Sequence, residues 1–160
     1  MSKPTRQFRD ALGCFATGVT VVTTRRADGA AVGITANSFS SVSLDPPLVL
    51  WCLDNLSETF NDFQASPHFA VNILSSDDEA ISQDMARPGD HILPADAYTL
   101  GKTTGMPLIE RAIATFECAV EHRYAGGDHV ILVGRVLAHS ARHTGDPLLY
   151  FRGKYARLAV

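Results

Sequence analysis

Apolar runs rich in β-branched residues follow one another through short turns along most of this chain. Val19–Thr24 is almost entirely β-branched, and a turn signal at Ala27–Gly29 returns the chain into the run Ala30–Thr35. The pattern recurs around Gly126–Gly127, which lies between two long apolar runs. Because strands joined by turns pair with their neighbours in sequence, this order favours an antiparallel barrel over a doubly wound parallel sheet.

The remaining elements are predicted from the same kinds of pattern. Further strands are expected over Leu48–Leu53, His68–Leu74, Ile113–Glu121, His129–His139 and Pro147–Phe151. Helices are expected over Thr5–Thr17, from Asn55 through Phe63, and from Ser76 to about Met85. The second and third helices begin with the spacing of a capping box, Asn55 with Glu58 and Ser76 with Glu79. In all, about six or seven strands and three short helices are expected.

Three segments carry more specific structural predictions. Leu48–Leu53 shows little alternation, which favours burial on both faces. From Ile113 the alternation separates two faces, with Phe116, Cys118 and Val120 on one and Thr115, Glu117 and Glu121 on the other. Arg87–Pro107 holds glycine, proline and aspartate without a clear period, which predicts a long loop that acts as a lid or contacts a cofactor.

Size and composition limit the organisation of the chain and its partners. With 160 residues, 46% of them hydrophobic, the chain fits a single domain over residues 1–160 with its own core. A formal net charge of -3 gives no electrostatic reason to expect nucleic acid. No segment approaches the roughly 20 apolar residues that span a bilayer, and no cleavable signal is evident. We therefore expect no membrane partner and a cytoplasmic location.

Several chemistries lack the motifs that they need. The sequence holds no G-x-S-x-G nucleophile elbow, no H-E-x-x-H spacing, no G-x-G-x-x-G after the first strand and no P-loop. The cysteines Cys14, Cys52 and Cys118 are far apart and form no C-x-x-C pair, which predicts reduced thiols packed as small hydrophobes. Hydrolytic, phosphoryl-transfer and Rossmann-type chemistry are therefore disfavoured, and no metal site is expected.

Small polar residues crowd the segment Gly33–Leu50 between two apolar strands. They are Thr35, Asn37, Ser38, Ser40, Ser41 and Ser43, and a second group, Asn55, Ser57 and Thr59, follows the next strand. One interpretation is a set of turn and sheet-edge hydroxyls that bond their own backbone. The other is a cofactor with a flat ring and a phosphorylated tail, which needs neutral donors, an apolar slot and a helix start. The pattern alone leaves both open and does not name the cofactor.

Five ordered segments of this chain resemble the short-chain flavin reductase family, the reductase components of two-component flavin monooxygenases. They read FRDALGCFATGVTVVTT, GITANSFSSVSLDPPLVL, FAVNIL, AGGDHVILVGRV and DPLLYFRGKY, and the resemblance runs from Phe8 to Leu158. The chain is similar to the reductases of phenol and 4-hydroxyphenylacetate hydroxylases. The resemblance implies a mainly β fold with short helices, an antiparallel FMN-binding split β-barrel of the Greek-key type. It also implies a homodimer with flavin bound near the subunit interface.

The resemblance further implies which residues bind the ligands. For flavin they are Thr35, Ala36, Asn37, Ser38, Ser41, Cys52, Asn55, Ser57 and Thr59. For the nicotinamide nucleotide they are Gly127, Asp128 and His129, with Tyr155 closing over the ligands. His129 is the one candidate for a catalytic side chain, although a histidine here can also cap a turn. Tyr155 is equally consistent with a core aromatic, and Arg87 with a solvated loop residue instead of a phosphate ligand.

The implied activity is that of an NAD(P)H:flavin oxidoreductase. A hydride passes from NADH or NADPH to FMN or FAD, and the reduced flavin is supplied to a partner monooxygenase. Because the cofactors carry this chemistry, no acid–base pair is needed. Two alternatives are a split-barrel FMN oxidase with its own substrate and a non-enzymatic flavin-binding or electron-carrier protein. The glycine-aspartate-histidine motif favours the reductase, since a carrier needs no nicotinamide site.

Overall fold

The computed structural model describes residues 3–159, which form antiparallel strands and three helices. The helices are α1 (Lys3–Leu12), α2 (Phe60–Ala65) and α3 (Glu79–Ala86). The strands are β1 (Thr17–Gly18), β2 (Thr20–Arg25), β3 (Ala31–Ala36), β4 (Ser40–Leu44), β5 (Pro47–Asp54), β6 (His68–Ile73), β7 (Tyr98–Leu100), β8 (Pro107–Ile109), β9 (Ala114–Gly126), β10 (His129–Ala141), β11 (Leu149–Phe151) and β12 (Lys154–Ala156). The mainly β fold is confirmed, although the described residues form twelve strands instead of six or seven.

Seven of the strands form one antiparallel sheet in the order β3-β2-β6-β9-β10-β5-β4. Its edge strands, β3 and β4, are consecutive in sequence and are joined only by residues 37–39. Such a link spans roughly 14 Å at most, whereas the outer strands of a flat seven-stranded sheet lie about 29 Å apart. The sheet must therefore curl until its edges approach each other, which gives the split barrel that the family resemblance implies. The hydroxyl-rich segment lies at that split.

A small sheet, β1-β11-β12, ties the carboxyl-terminal part of the chain to the start of the barrel. Thr17 pairs with Tyr150, and Tyr150 pairs with Tyr155. The N–H of Val19 donates to the carbonyl oxygen of Leu148 at 3.0 Å, which continues the connection into β2. Residues far apart in sequence thus meet beside the split of the barrel.

Two apolar clusters pack on opposite faces of the barrel sheet. Val21 belongs to one and Val22 to the other, and neighbouring residues of a strand point to opposite faces. The cluster of Val22 centres on Trp51, which meets Phe63 and Phe69 edge-on at centroid distances of 4.9 and 6.0 Å. These three aromatic side chains are almost completely buried and are the largest side chains of the core.

The burial of β5 differs from the prediction for Leu48–Leu53. Val49, Trp51 and Leu53 are buried, but the residues between them are only half-buried. The prediction of burial on both faces is therefore wrong. β5 lies next to the edge strand β4, whose residues are also largely exposed.

The predicted loop Arg87–Pro107 is partly ordered, and its end forms the hairpin β7-β8 with the segment that follows. This hairpin is held by Glu117 on β9. The Glu117 carboxylate accepts the N–H groups of Thr103 and Thr104 at 3.2 and 2.6 Å, and the Thr104 hydroxyl at 2.7 Å. Glu117 is consequently buried, and both faces of β9 are covered at that point.

Helix α1 is shorter than predicted. It ends at Leu12, and the expected continuation to Thr17 is wrong because Thr17 pairs with Tyr150 as part of β1. The apolar side chains that suggested the helix are exposed, Phe8 by 67%, Leu12 by 59% and Phe15 by 79%. The helical spacing of Phe8 and Leu12 does fall within α1, but the apolar face that they form does not contact the core of the chain.

Both predicted capping boxes are wrong, because the proposed capping residues bond elsewhere. The carboxylate of Glu58 accepts the backbone N–H of Gly89 instead of closing on Asn55. The residue before α3 is Asp78, whose carboxylate accepts the N–H and the hydroxyl of Ser75 at 2.9 and 2.7 Å. Neither α2 nor α3 has a side-chain hydrogen bond from its N-cap residue.

The three cysteines are free thiols in three different environments. Cys14 is exposed, Cys52 is half-buried and Cys118 is buried, so only Cys118 has the packed environment predicted for all three. Burial raises the pKa of the Cys118 thiol to about 12, with a further contribution from Glu117, so this thiol stays protonated. Within residues 3–159, no helix is long and apolar enough to cross a membrane.

Candidate functional site

Three adjoining cavities lie beside the split of the barrel. The central cavity has a volume of about 220 Å³ and is lined by Val19, Thr35, Asn37, Ala86, Tyr150 and Tyr155. The amino-terminal cavity, about 690 Å³, shares Asn37 and Tyr150 and adds Leu12, Phe15 and Thr17. The loop cavity, about 460 Å³, shares Ala86 and adds Ile34, Ser57, Glu58, Arg87 and His91. Because each neighbour shares residues with the central cavity, we call the three together the groove.

Ser82 of α3 fixes two walls of the central cavity. The Thr35 hydroxyl donates to the Ser82 carbonyl oxygen at 2.7 Å, and the hydroxyl oxygens of Ser82 and Tyr155 lie 2.8 Å apart. Tyr155 also meets Tyr150 edge-on at a centroid distance of 5.6 Å. Since Ser82 is completely buried, β3, α3 and β12 are held together here. The result is a slot with aromatic and polar sides.

The amino-terminal cavity contains a buried polar atom without a partner. Thr17 Oγ1 is shielded from solvent and forms no hydrogen bond within the described part of the chain. Asn37, whose side chain is exposed, lies in the same cavity and connects it to the central one. A buried hydroxyl left unpaired costs roughly 1–3 kcal/mol, so a polar ligand atom beside Thr17 is favoured.

The loop cavity combines a hydroxyl with a cation. Ser57 and Arg87 both line it. The Ser57 oxygen lies 2.9 Å from the Thr59 hydroxyl oxygen and accepts the Thr59 N–H at 3.2 Å. Thr59 is completely buried, so it supports Ser57 instead of lining the cavity. Arg87 is mostly exposed and pairs with Asp84 at 3.4 Å. A serine hydroxyl and a guanidinium in one cavity suit a phosphate group.

The glycine-aspartate-histidine turn lies against Asn55. The Asn55 N–H donates to the Asp128 carbonyl oxygen at 3.0 Å, and its side-chain amide donates to the Gly127 carbonyl oxygen at 3.4 Å. The Asp128 carboxylate lies 2.7 Å from Nδ1 of His129, and this contact lowers the pKa of Asp128. His129 pairs with Asp54 at the end of β5, so the turn lies where the loop cavity begins. Tyr155, by contrast, lies with Thr35 in the central cavity.

Other residues predicted to bind flavin lie in the barrel wall beside the groove. The Ser38 hydroxyl accepts the Cys52 N–H at 2.9 Å and so ties the β3–β4 link to β5. Ala36 packs against the apolar cluster of Trp51, and Ser41 is exposed on β4. The contact of Ser38 fits the interpretation in which these hydroxyls bond the chain's own backbone.

A fourth cavity, about 560 Å³, lies between α3 and the following loop. It is lined by Ala80, Ile81, Asp84 and Asp96, among others, and shares Arg87, Pro88 and His91 with the loop cavity. It contains none of the residues predicted to bind flavin. Across the described residues, no group of three or more side chains is arranged to hold a metal ion.

The groove fits a flat heteroaromatic ring with a phosphorylated tail. The tyrosine pair offers an aromatic wall for a ring, and the unpaired Thr17 hydroxyl offers a polar contact to its edge. Ser57 and Arg87 then suit a phosphate at the far end. Sequence reasoning did not predict the roles of Thr17 and Ser82, because neither stands in a polar cluster of the sequence.

Comparison with known proteins identifies the family of this chain. The sequence model of the family described as "Flavin reductase like domain" matches residues 12–159. FMN reductase (NADH) SmoA of Agrobacterium fabrum is 42% identical over 154 residues, which are 96% of this chain and 86% of that protein. The solved structure of Streptomyces globisporus C-1027 NADH:FAD oxidoreductase SgcE6, in complex with NAD and FAD fragments, has a TM-score of 0.92 and 38% identity. That match covers 98% of this chain and 94% of SgcE6.

Some relatives are longer than the chain. The reductase component of the flavin-dependent trigonelline monooxygenase of Acinetobacter baylyi is 42% identical over 151 residues, 94% of this chain but 48% of that protein. The chain thus spans about half the length of such relatives. The predicted family, split-barrel fold and flavin reductase class are confirmed by these matches. This chain belongs to the flavin reductase-like domain family.

Proposed function

We propose that this chain transfers a hydride from NADH to FMN or FAD and releases reduced flavin to a monooxygenase. The observation that carries the proposal is the groove, whose aromatic central cavity continues into a loop cavity with Ser57 and Arg87. NADH as donor, in preference to NADPH, is supported by the names of SmoA and SgcE6. Transfer to a monooxygenase is supported by the name of the Acinetobacter relative.

The side chains of the groove would bind and orient the ligands. Thr17 and Asn37 would bond the polar edge of the flavin ring, Tyr155 would flank it, and Ser57 with Arg87 would hold the phosphate. The bound flavin and nicotinamide supply the redox chemistry. The chain's own contribution is to hold the two rings in contact, which replaces a bimolecular encounter by a positioned one.

Steady-state turnover tests the proposal. Purified protein is mixed with NADH or NADPH and an excess of FMN or FAD, and loss of reduced nicotinamide absorbance is followed. Turnover of many equivalents of free flavin supports the reductase. Flavin that binds without turnover would indicate a carrier, and tightly held FMN that is reduced once by NADH would indicate a split-barrel oxidase with another substrate. Either of these results overturns the proposal.

His129→Ala is expected to raise the Michaelis constant for NADH about tenfold and to leave that for flavin nearly unchanged. The NADH effect follows from the nicotinamide role that the family resemblance implies for the Gly127–His129 turn. The flavin constant should stay nearly unchanged because this turn, held by Asn55, lies outside the three cavities of the groove. The exposed His143, changed to alanine, is the matched control and should leave both constants unaltered. Equal increases for both substrates after His129→Ala would refute the nicotinamide assignment.

We also propose a homodimer, as an explanation for an apolar surface that the chain leaves open. Phe8, Leu12 and Phe15 are exposed, and Leu12 and Phe15 also line the amino-terminal cavity. Several exposed large apolar side chains close together in sequence suit an interaction surface. A second copy covering it would close one end of the groove.

The free thiols are consistent with a reducing compartment, so we place the dimer in the cytoplasm.

Sedimentation checks the dimer. The unaltered protein is expected to sediment as a dimer at micromolar concentration, and Phe8→Asp is expected to shift it to a monomer, because a charge in an apolar interface is strongly disfavoured. Leu100→Asp, at a half-exposed residue of β7, is the control and should remain dimeric. A monomer in the unaltered protein would contradict the proposal.

A further inference from the structure

Two residues of the loop that follows α3 contact the same carboxylate oxygen. Glu58 Oε2 accepts the Gly89 N–H at 2.9 Å and lies 3.0 Å from Nε2 of His91. On its other side the same loop is fastened to β3, where the Gly33 N–H donates to the His91 carbonyl oxygen at 3.0 Å. We call the contacts among Glu58, Gly89 and His91 the clamp.

His91 is unusual in three respects. It is buried, with 7% of its surface exposed, and its backbone has a φ of 56°, in the left-handed region that side chains other than glycine rarely adopt. Its Nδ1 is buried and has no hydrogen-bond partner within residues 3–159. A proton on Nε2 leaves Nδ1 as an unpaired acceptor instead of an unpaired N–H, so of the two tautomers the one with Nε2–H, donating to Glu58, is favoured.

Glu58 is the charged member of the clamp. The hydrogen bond from the Gly89 N–H is the main reason why the pKa of the Glu58 carboxyl is lowered, and the contact with His91 lowers it further. The carboxylate is therefore ionised at neutral pH, as an acceptor of two hydrogen bonds should be. A carboxylate that accepts from both the backbone and the side chain of one loop holds that loop in one position.

The clamp forms one wall of the loop cavity. Glu58 and His91 line it together with Ser57 and Arg87. Glu58 follows Ser57 directly in sequence, and Arg87 stands two residues before Gly89. The two groups that suit a phosphate thus come from two loops, and the clamp is a direct bond between those loops.

We propose that Glu58 and His91 are positioning residues that preform the phosphate end of the flavin site. Neither is assigned a contact with flavin. Both act by setting the distance between Ser57 and the start of the 87–91 loop. The inference rests on the proposed function, since it concerns the same ligand. A preformed cavity binds without an ordering cost in the loops, so loss of the clamp should weaken flavin binding specifically.

Glu58→Ala tests the clamp. It is expected to raise both the Kd for FMN, measured by fluorescence titration, and the Michaelis constant for flavin by about tenfold. The kcat at saturating flavin and the Michaelis constant for NADH should change less than about twofold, because the central cavity and the Gly127–His129 turn are untouched. His91→Asn should act like Glu58→Ala, since asparagine tolerates the positive φ but is too short to reach Glu58.

Two controls separate positioning from general stability. Glu58→Gln keeps an oxygen that can accept both hydrogen bonds and should restore most of the flavin affinity. Glu110→Ala removes another exposed carboxylate and should change nothing. An unchanged Kd for FMN in Glu58→Ala would overturn the proposed positioning role of the clamp. Equal increases in the Michaelis constants for flavin and NADH would also overturn it. If the unaltered protein turned over no flavin, the proposed function would fail, while the FMN titration would still decide the clamp.

Discussion

Gly134→Ala is expected to lower the free energy of unfolding by about 3 kcal/mol, the upper end of the usual range for overpacking. A Cβ at this position of β10 would lie 2.4 Å from Cζ of Phe69 and 3.0 Å from Cβ of Cys118. Both neighbours are buried, and Phe69 also packs against Trp51, so neither has space to move. For a domain of this size the melting temperature should fall by roughly 6–12 °C.

Thermal unfolding with two further variants checks the cause. Gly18→Ala is the control, because a Cβ there would meet no heavy atom within 4 Å. Phe69→Leu removes the ring that the new methyl would strike, so the double variant Gly134→Ala/Phe69→Leu should be more stable than the sum of the two single effects predicts. Strict additivity would show that the clash with Phe69 is not the source of the loss.

Gly134 also marks the limit of what the sequence predicts about the barrel. Strands β2, β3, β5, β6 and β10 lie within two residues of their predicted ranges, because each has enough β-branched or alternating residues to be recognised alone. The sequence shows Gly134 only as an interruption of an apolar run. That this glycine admits Phe69 from two strands away becomes visible only once β9, β10 and β6 are paired.

Most of the strands missed by sequence reasoning are very short, and one of them depends on a distant partner. Strands β1, β7, β8 and β12 have two or three residues each, too few to show a period. β1 exists because Thr17 pairs with Tyr150. The same competition explains the capping boxes, since Glu58 has a better partner in the 87–91 loop than in its own helix. For β1 and for the capping box of Glu58, tertiary contacts outweighed local propensity.

The candidate site was likewise only partly predictable from the sequence. That polar groups after β3 and β5 would meet was predictable, since a barrel brings the ends of its strands together. Asn37 and Ser57 indeed line adjoining cavities joined at Ala86. The other side of the groove comes from α3 and β11-β12. Ser82 stands in none of the five segments that resemble the family, and Tyr150 lies within one of them but was given no ligand role. Their roles follow from position in the fold, not from neighbours in sequence.

Ala86→Trp is expected to raise the Michaelis constant for flavin about a hundredfold, or about 2.7 kcal/mol in binding. Ala86 is the last residue of α3, is exposed, and lines both the central cavity and the loop cavity. An indole there would fill the passage between the proposed ring and phosphate positions. The fold should tolerate the change, because tryptophan at an exposed helix end costs only about 0.5 kcal/mol relative to alanine.

Ala80→Trp is the matched control on the same helix. Ala80 is also exposed, but it lines the fourth cavity instead of the groove. Flavin and NADH kinetics of this variant should therefore equal those of the unaltered protein, and both variants should keep its melting temperature within about 2 °C. If the Michaelis constant for flavin were the same in Ala86→Trp as in Ala80→Trp, the flavin would not occupy this groove. The assignments of Thr17, Asn37, Ser57 and Arg87 would then have to be abandoned together, because all four depend on one continuous path past Ala86.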